Sequence, residues 1–110
     1  MTIRSLMTPD YLMLSDDSLL DNEFTGVYSG DLLSMVLHKA KTGAILITVL
    51  ANMNTLAVAS LREFPAVIIT ENMDVSEAMI QKANEESIAL IKTAFSSHEV
   101  IIDFAKRNRL

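Results

Sequence analysis

The chain has 110 residues, half of them hydrophobic, a formal net charge of −5 and no cysteine. This length and apolar content suit a single folded domain over 1–110 and exclude a disordered chain. The missing cysteine excludes disulfides, a thiol nucleophile and a cysteine-ligated metal. The acidic balance argues against nucleic-acid binding, which needs clustered cations.

No apolar run approaches a membrane span, and the first residues are not followed by the core of a secretion signal. A cytoplasmic protein is the expectation. Charge is unevenly placed: the first 31 residues carry Asp10, Asp16, Asp17, Asp21, Glu23 and Asp31 against Arg4 alone, and the end carries Lys106, Arg107 and Arg109. A basic end can attract acidic partners; it also complements the dipole of a final helix, and that is the reading adopted.

Residues 2–7 read as a short helical turn stopped by Thr8 and Pro9. Residues 11–14 read as a short edge strand, 15–18 as a polar turn, and 19–23 as a loop. Residues 24–28 are β-prone, with Gly26 marking a weak point or a close backbone approach. Ser29, Gly30 and Asp31 are expected to open a helix whose apolar stripe is Leu33, Val36, Leu37 and Ala40. Gly43 suits its left-handed cap.

Residues 44–50 form an unbroken β-rich apolar run, as in a strand covered on both faces. A helix capped by Asn52 follows and ends at Pro65. Residues 66–70 are the next strand, completing a βαβ unit whose crossover should be right-handed. Asp74 and Glu77 have capping-box spacing before a helix that buries Met79, Ile80 and Ala83. Residues 88–92 form a strand, and Ser96 with Glu99 open a last helix that buries Val100, Ile101 and Phe104.

The order β-β-α-β-α-β-α-β-α predicts an α/β three-layer sandwich: a mostly parallel sheet of four to five strands with helices on both faces. The helix beginning at Met53 is apolar or small at nearly every position through Leu61. Its outer face therefore needs a cover. A second copy of the chain is the expected one, and the N-terminal segment is the other candidate.

Familiar catalytic patterns are missing. His38 and His98 have no neighbours at metal-ligand spacing and read as surface residues. With three glycines the chain has no P-loop, no dinucleotide fingerprint and no nucleophile elbow. Asp16 and Asp17 read as a turn, and the seven methionines as core filling. No cofactor or metal is implied. What remains is position, because ligands of open α/β sheets bind beyond the carboxyl ends of the strands. Tyr28, Ser29 and Asp31 follow one strand there; Asn52 and Asn54 follow the next. Helix N-termini offer free amides, asparagine can read a base or a phosphate, and Tyr28 can stack on a ring. The same residues could serve only as caps.

At these positions the sequence resembles a DRTGG domain. Asp21-Asn22-Glu23-Phe24-Thr25-Gly26-Val27 is similar to the family's Asp-Arg-x-x-Thr-Gly-Gly, and Gly30-Asp31-Leu32-Leu33-Ser34 to the segment that follows it. The strand and helix from Ile45 through Ala59, and the strand at 66–70, extend the resemblance along nearly the whole chain. Asn22 stands where the motif has Arg, and Val27 where it has its second Gly.

The resemblance implies a stand-alone regulatory domain. DRTGG domains accompany CBS domains in some pyrophosphatases, where the pair binds adenine nucleotides and diadenosine polyphosphates near a dimer interface. They also occur in phosphotransacetylases and are similar to the N-terminal domain of HPr kinase. The kinase activity there belongs to a P-loop domain, which this chain lacks, so a kinase is not expected.

The expectation is a non-catalytic homodimeric module that binds a nucleotide-like ligand through Thr25, Gly26, Tyr28, Ser29, Asp31, Asn52 and Asn54. The alternative is an interaction module without a small ligand, docking on a larger enzyme. A small hydrolase or transferase has no residue constellation behind it.

Overall fold

The computed structural model describes residues 1–107. Five strands form one sheet in the order β1-β5-β4-β3-β2. They are β1 (Tyr11–Met13), β2 (Gly26–Ser29), β3 (Ala44–Thr48), β4 (Ala66–Ile69) and β5 (Ala89–Thr93). β2, β3, β4 and β5 run parallel, and β1 closes one edge antiparallel to β5. Every residue of β3 and β4 is buried, as their unbroken apolar sequences require.

Four helices cover the sheet: α1 (Leu33–Lys39), α2 (Met53–Leu61), α3 (Glu77–Glu85) and α4 (Ser97–Lys106). The first three link consecutive parallel strands and lie on one face. There Val36, Leu56, Ala59, Met79 and Ala83 pack on Leu46, Val67, Ile69 and Leu90. Strand order stepping one way with all connecting helices on one face is what crossovers of a single hand produce. Val100 and Phe104 of α4 cover the other face with Ile3, Leu6, Leu20 and Phe24, against Ile45, Ile47, Ile68 and Ile91. The three-layer α/β sandwich expected from the sequence is the fold observed.

Local caps explain the helix boundaries. Asn52 accepts from the Thr55 amide at 3.3 Å, and Ser96 with Glu99 makes the expected reciprocal box. α2 ends earlier than proline chemistry requires. Glu63 takes a left-handed φ of 55°, and the Phe64 amide reaches back to the Ala59 carbonyl at 2.9 Å. Ser87 repeats this at the end of α3, with the Ile88 amide on the Ala83 carbonyl at 2.9 Å. Each motif swings an apolar residue, Phe64 or Ile88, into the core.

Several sequence expectations are corrected. Residues 17–21 are a 3-10 helix rather than turn and loop, because the Asp16 carboxylate accepts from both the amide and the hydroxyl of Ser18. α1 starts at Leu33, capped by no side chain, so Asp31 does not open it. Gly43, at φ 84°, is not a helix cap: it sits in the turn closed by the Ala44 amide on the Lys41 carbonyl. Ser76, not Asp74, caps α3 through the Met79 amide. The N-terminal segment does not cover α2, since Ile3 and Leu6 belong to the opposite face.

At the C-terminal end, Lys106 stands in the last turn of α4 as the dipole favours. Arg107 holds Asp103 at 2.6 Å and donates to the Leu6 carbonyl at 2.9 Å. Arg109 lies outside the described residues.

Candidate functional site

The parallel strands end together on one side, where two loops face each other. The first follows β3. Asp31, arriving from the end of β2, accepts from the buried Thr48 hydroxyl at 2.8 Å and from the Val49 amide at 2.9 Å. The Thr48 oxygen in turn accepts from the Leu50 amide at 3.2 Å, and the Thr55 hydroxyl donates to the Leu50 carbonyl at 2.7 Å. These bonds fix residues 48–52 in place ahead of the N-terminus of α2.

The second loop follows β4. Glu71 and Asn72 both have left-handed backbones, with φ of 61° and 52°, and the Met73 amide closes on the Thr70 carbonyl at 3.4 Å. Two successive residues of this kind make a type I′ turn, normally the work of glycine or asparagine. The strain is held by hydrogen bonds that the Glu71 amide donates to the Phe95 carbonyl at 2.8 Å and the Asn72 amide to the Thr93 carbonyl at 2.9 Å. Just before the turn, the buried Thr70 hydroxyl has no hydrogen-bond partner among the described residues.

Between the two loops lies a cavity of about 490 Å³, lined by Val49, Leu50, Ala51, Asn52, Asn72, Met73 and Asp74. Its character is apolar with two side-chain amides and one carboxylate. The Asn52 oxygen is committed to its cap, but neither Asn52 nor Asn72 uses its amide donors among the described residues. Such a lining suits a planar polar ring or a sugar, read by amide hydrogen bonds over apolar walls. It holds no cation to neutralise a phosphate.

The seven residues singled out from the sequence do not form one site. Asn52 lines this cavity, and Asp31 supports it from behind without lining it. Asn54 is exposed on the first turn of α2, and Ser29 is exposed at the end of β2. Thr25, Gly26 and Tyr28 line a separate cavity with Lys39 and Lys41, at the opposite end of β2 and β3.

Asn72, Met73 and Asp74 are not among the residues singled out from the sequence, where Asp74 figures only for its capping-box spacing with Glu77. The available signal was position: they follow β4 as Asn52 follows β3.

Asn22, at the motif position usually held by Arg, is structural. Its side-chain amide donates to the Pro65 carbonyl at 3.1 Å and the Ser87 carbonyl at 3.0 Å, tying the N-terminal segment to the starts of β4 and β5. Val27 is half-buried against the α4 face. Among the described residues no group of three or more His, Asp or Glu could hold a metal ion, and no helix is long and apolar enough to cross a membrane.

Residues 50–106, just over half of the chain, match the family described as HPr Serine kinase N terminus. That span contains every residue lining the 490 Å³ cavity except Val49. No curated protein matches the chain. Among solved structures, it is similar to the CBS and DRTGG domains of the regulatory region of Clostridium perfringens pyrophosphatase, complexed with the activator diadenosine tetraphosphate. The TM-score is 0.68 at 15% identity, covering 91% of this chain and 41% of that one. The chain thus spans less than half of that protein's chain, and at this identity the likeness is one of fold.

Proposed function

We propose, from the premise that the chain belongs to the HPr serine kinase N-terminus family, that it is a non-catalytic regulatory module binding a nucleotide-like ligand as a homodimer. The observation that carries this reading is the cavity beyond β3 and β4, with its unused Asn52 and Asn72 amides. It lies where open α/β sheets bind ligands, and its lining offers recognition groups without a nucleophile paired to a base. Adenine is the ring proposed: its edge presents donors and an acceptor to asparagine side chains, while its faces meet Leu50 and Met73. The pyrophosphatase regulatory region of similar fold binds diadenosine tetraphosphate, which supports the same ligand class here. Phosphates would extend outward to solvent, since the cavity itself has no cation.

The dimer rests on α2. Thr55, Leu56 and Ala59 face the core, while Met53 and Leu61 on the other side are 45% and 72% exposed. Leu32, just before α1, and Met35, within it, are exposed apolar residues of the same helical layer. No charged residue interrupts α2 from Met53 to Leu61. Two copies of it can therefore pack antiparallel, Met53 beside Leu61 of the second copy, without like-charge repulsion.

Titration with ATP and diadenosine tetraphosphate, followed by amide chemical shifts, tests the site. Shifts should concentrate at residues 49–52 and 72–74. The double variant Asn52→Ser, Asn72→Gly keeps the cap and the left-handed turn but removes both amides, and should weaken binding. Unchanged affinity in that variant, or shifts located elsewhere, would refute the assignment.

A further inference from the structure

We propose that the free edge of β2 is a docking groove for an extended acidic segment of a partner protein, which joins the sheet there as an additional strand. Among the described residues β2 pairs with β3 alone; residues 1–3 pair with 22–24 just before it, and beyond them its outer side carries main-chain donors and acceptors unpaired in the sheet. Beside it lies a cavity of about 350 Å³, lined by the consecutive residues Thr25, Gly26, Val27 and Tyr28 together with Lys39, Lys41 and Ala44, the β3 residue paired with Gly26. A hollow lined by four successive residues, three of them in β2, follows the strand axis. That shape accepts an extended chain better than a compact ligand. At Gly26 an added side chain would meet nothing within 4 Å. Gly26 has the parity of Tyr28, so this open space lies over the α1-side face of the sheet, where the side chains of an added strand would have room.

The two sheet edges differ. β1 is only three residues long and follows Pro9, which limits pairing at that edge. β2, Gly-Val-Tyr-Ser, contains no charge and no proline of its own to block an incoming strand. The charged residues lining the cavity are Lys39, in the last turn of α1, and Lys41 beyond it. Both are exposed, and neither has an ion-pair partner among the described residues. In a chain of net charge −5, this local cationic pair selects an acidic occupant. Both lysines and the Tyr28 ring lie on the α1 side of the sheet. The incoming strand should therefore present its acidic side chains at alternate positions, toward α1. This groove is distinct from the cavity at the other ends of the strands.

The test uses a fluorescein-labelled hexapeptide alternating valine and glutamate, with a valine–lysine hexapeptide as control. The glutamate peptide should raise its anisotropy on binding and shift the amides of residues 26–29. Reversing the exposed lysines in Lys39→Glu, Lys41→Glu should weaken it by roughly tenfold and transfer binding to the lysine peptide. Both side chains are exposed and unpaired, so the variant should stay folded and melt only slightly below wild type, Lys39 losing its favourable place in the last turn of α1. Any of three results would overturn the proposal: no binding at millimolar peptide, equal binding of both peptides, or displacement by ATP.

Discussion

Replacing Asp31 by alanine isolates the support of the ligand cavity. Asp31 lies 17 residues from Thr48 in sequence, yet accepts from its hydroxyl at 2.8 Å and from the Val49 amide at 2.9 Å. Hydrogen bonds to a charged acceptor contribute about 1.5–3 kcal/mol each when well buried. Asp31 itself is exposed, so water competes and roughly 1 kcal/mol per bond is the better figure here. Asp31→Ala should therefore cost about 2 kcal/mol, or ~8 °C in melting temperature for a domain of this size. Asp31→Asn keeps an acceptor oxygen and should cost about 1 kcal/mol or less.

Urea unfolding at pH 7 measures the loss, and amide exchange locates it. Exchange should accelerate at Val49 and Leu50, with α1 unaffected, because Asp31 does not cap that helix. Ligand affinity should fall as the loop loosens. A variant within about 0.5 kcal/mol of wild type, or faster exchange confined to α1, would refute this reasoning.

Glu63→Gly should stabilise the protein by about 0.5–1 kcal/mol, because Glu63 occupies a left-handed conformation at the end of α2 that glycine adopts freely; chemical denaturation would show it. The Arg107 guanidinium, aided by the Tyr11 hydroxyl at 2.6 Å, holds the Asp103 carboxyl below the usual range. A depressed folded-state value means that its stabilisation is present above about pH 4 and is lost as pH falls through the folded value. Asp103→Asn should therefore cost about 1–2 kcal/mol at pH 7, a difference that shrinks toward zero in strong acid; an equal cost at pH 2 would contradict it. Leu61→Glu, at a site 72% exposed, should leave the folded chain intact while converting a dimer to a monomer in sedimentation equilibrium. A monomeric wild type, or a dimeric variant, would remove α2 from the interface.

The sequence was most legible where the physics is local. The five buried residues of β3, the Asn52 cap and the Ser96–Glu99 box each depend on neighbours within a few positions. The α/β layering followed from the alternation of elements. Illegible features were those set by distant partners. Asp31 looked like a helix opener because its true partners, Thr48 and Val49, belong to the next strand and loop. Ser76 displaced Asp74 as the cap of α3, a choice between two nearby polar residues that spacing did not decide.

The type I′ turn at Glu71 and Asn72 carries no glycine to announce it, and its hold on the loop after β5 is tertiary. Grouping Thr25, Gly26 and Tyr28 with Asn52 failed for a geometric reason. The first three line the side of an edge strand near its start, while Asn52 stands beyond the far end of β3. The sequence also showed an α2 apolar on every side; the structure shows that its outer face stays open in the single chain.

A thermal-shift titration with adenine and guanine mononucleotides and diadenosine polyphosphates bears most directly on the regulatory-module reading. A ligand bound only to the folded state, at a hundred times its dissociation constant, contributes about 2.7 kcal/mol. That corresponds to roughly ten degrees for this chain. A dose-dependent rise of that size with an adenine ligand, absent in the Asn52→Ser, Asn72→Gly variant, is the expected result. No shift with any ligand at millimolar concentration would contradict a nucleotide-sensing role.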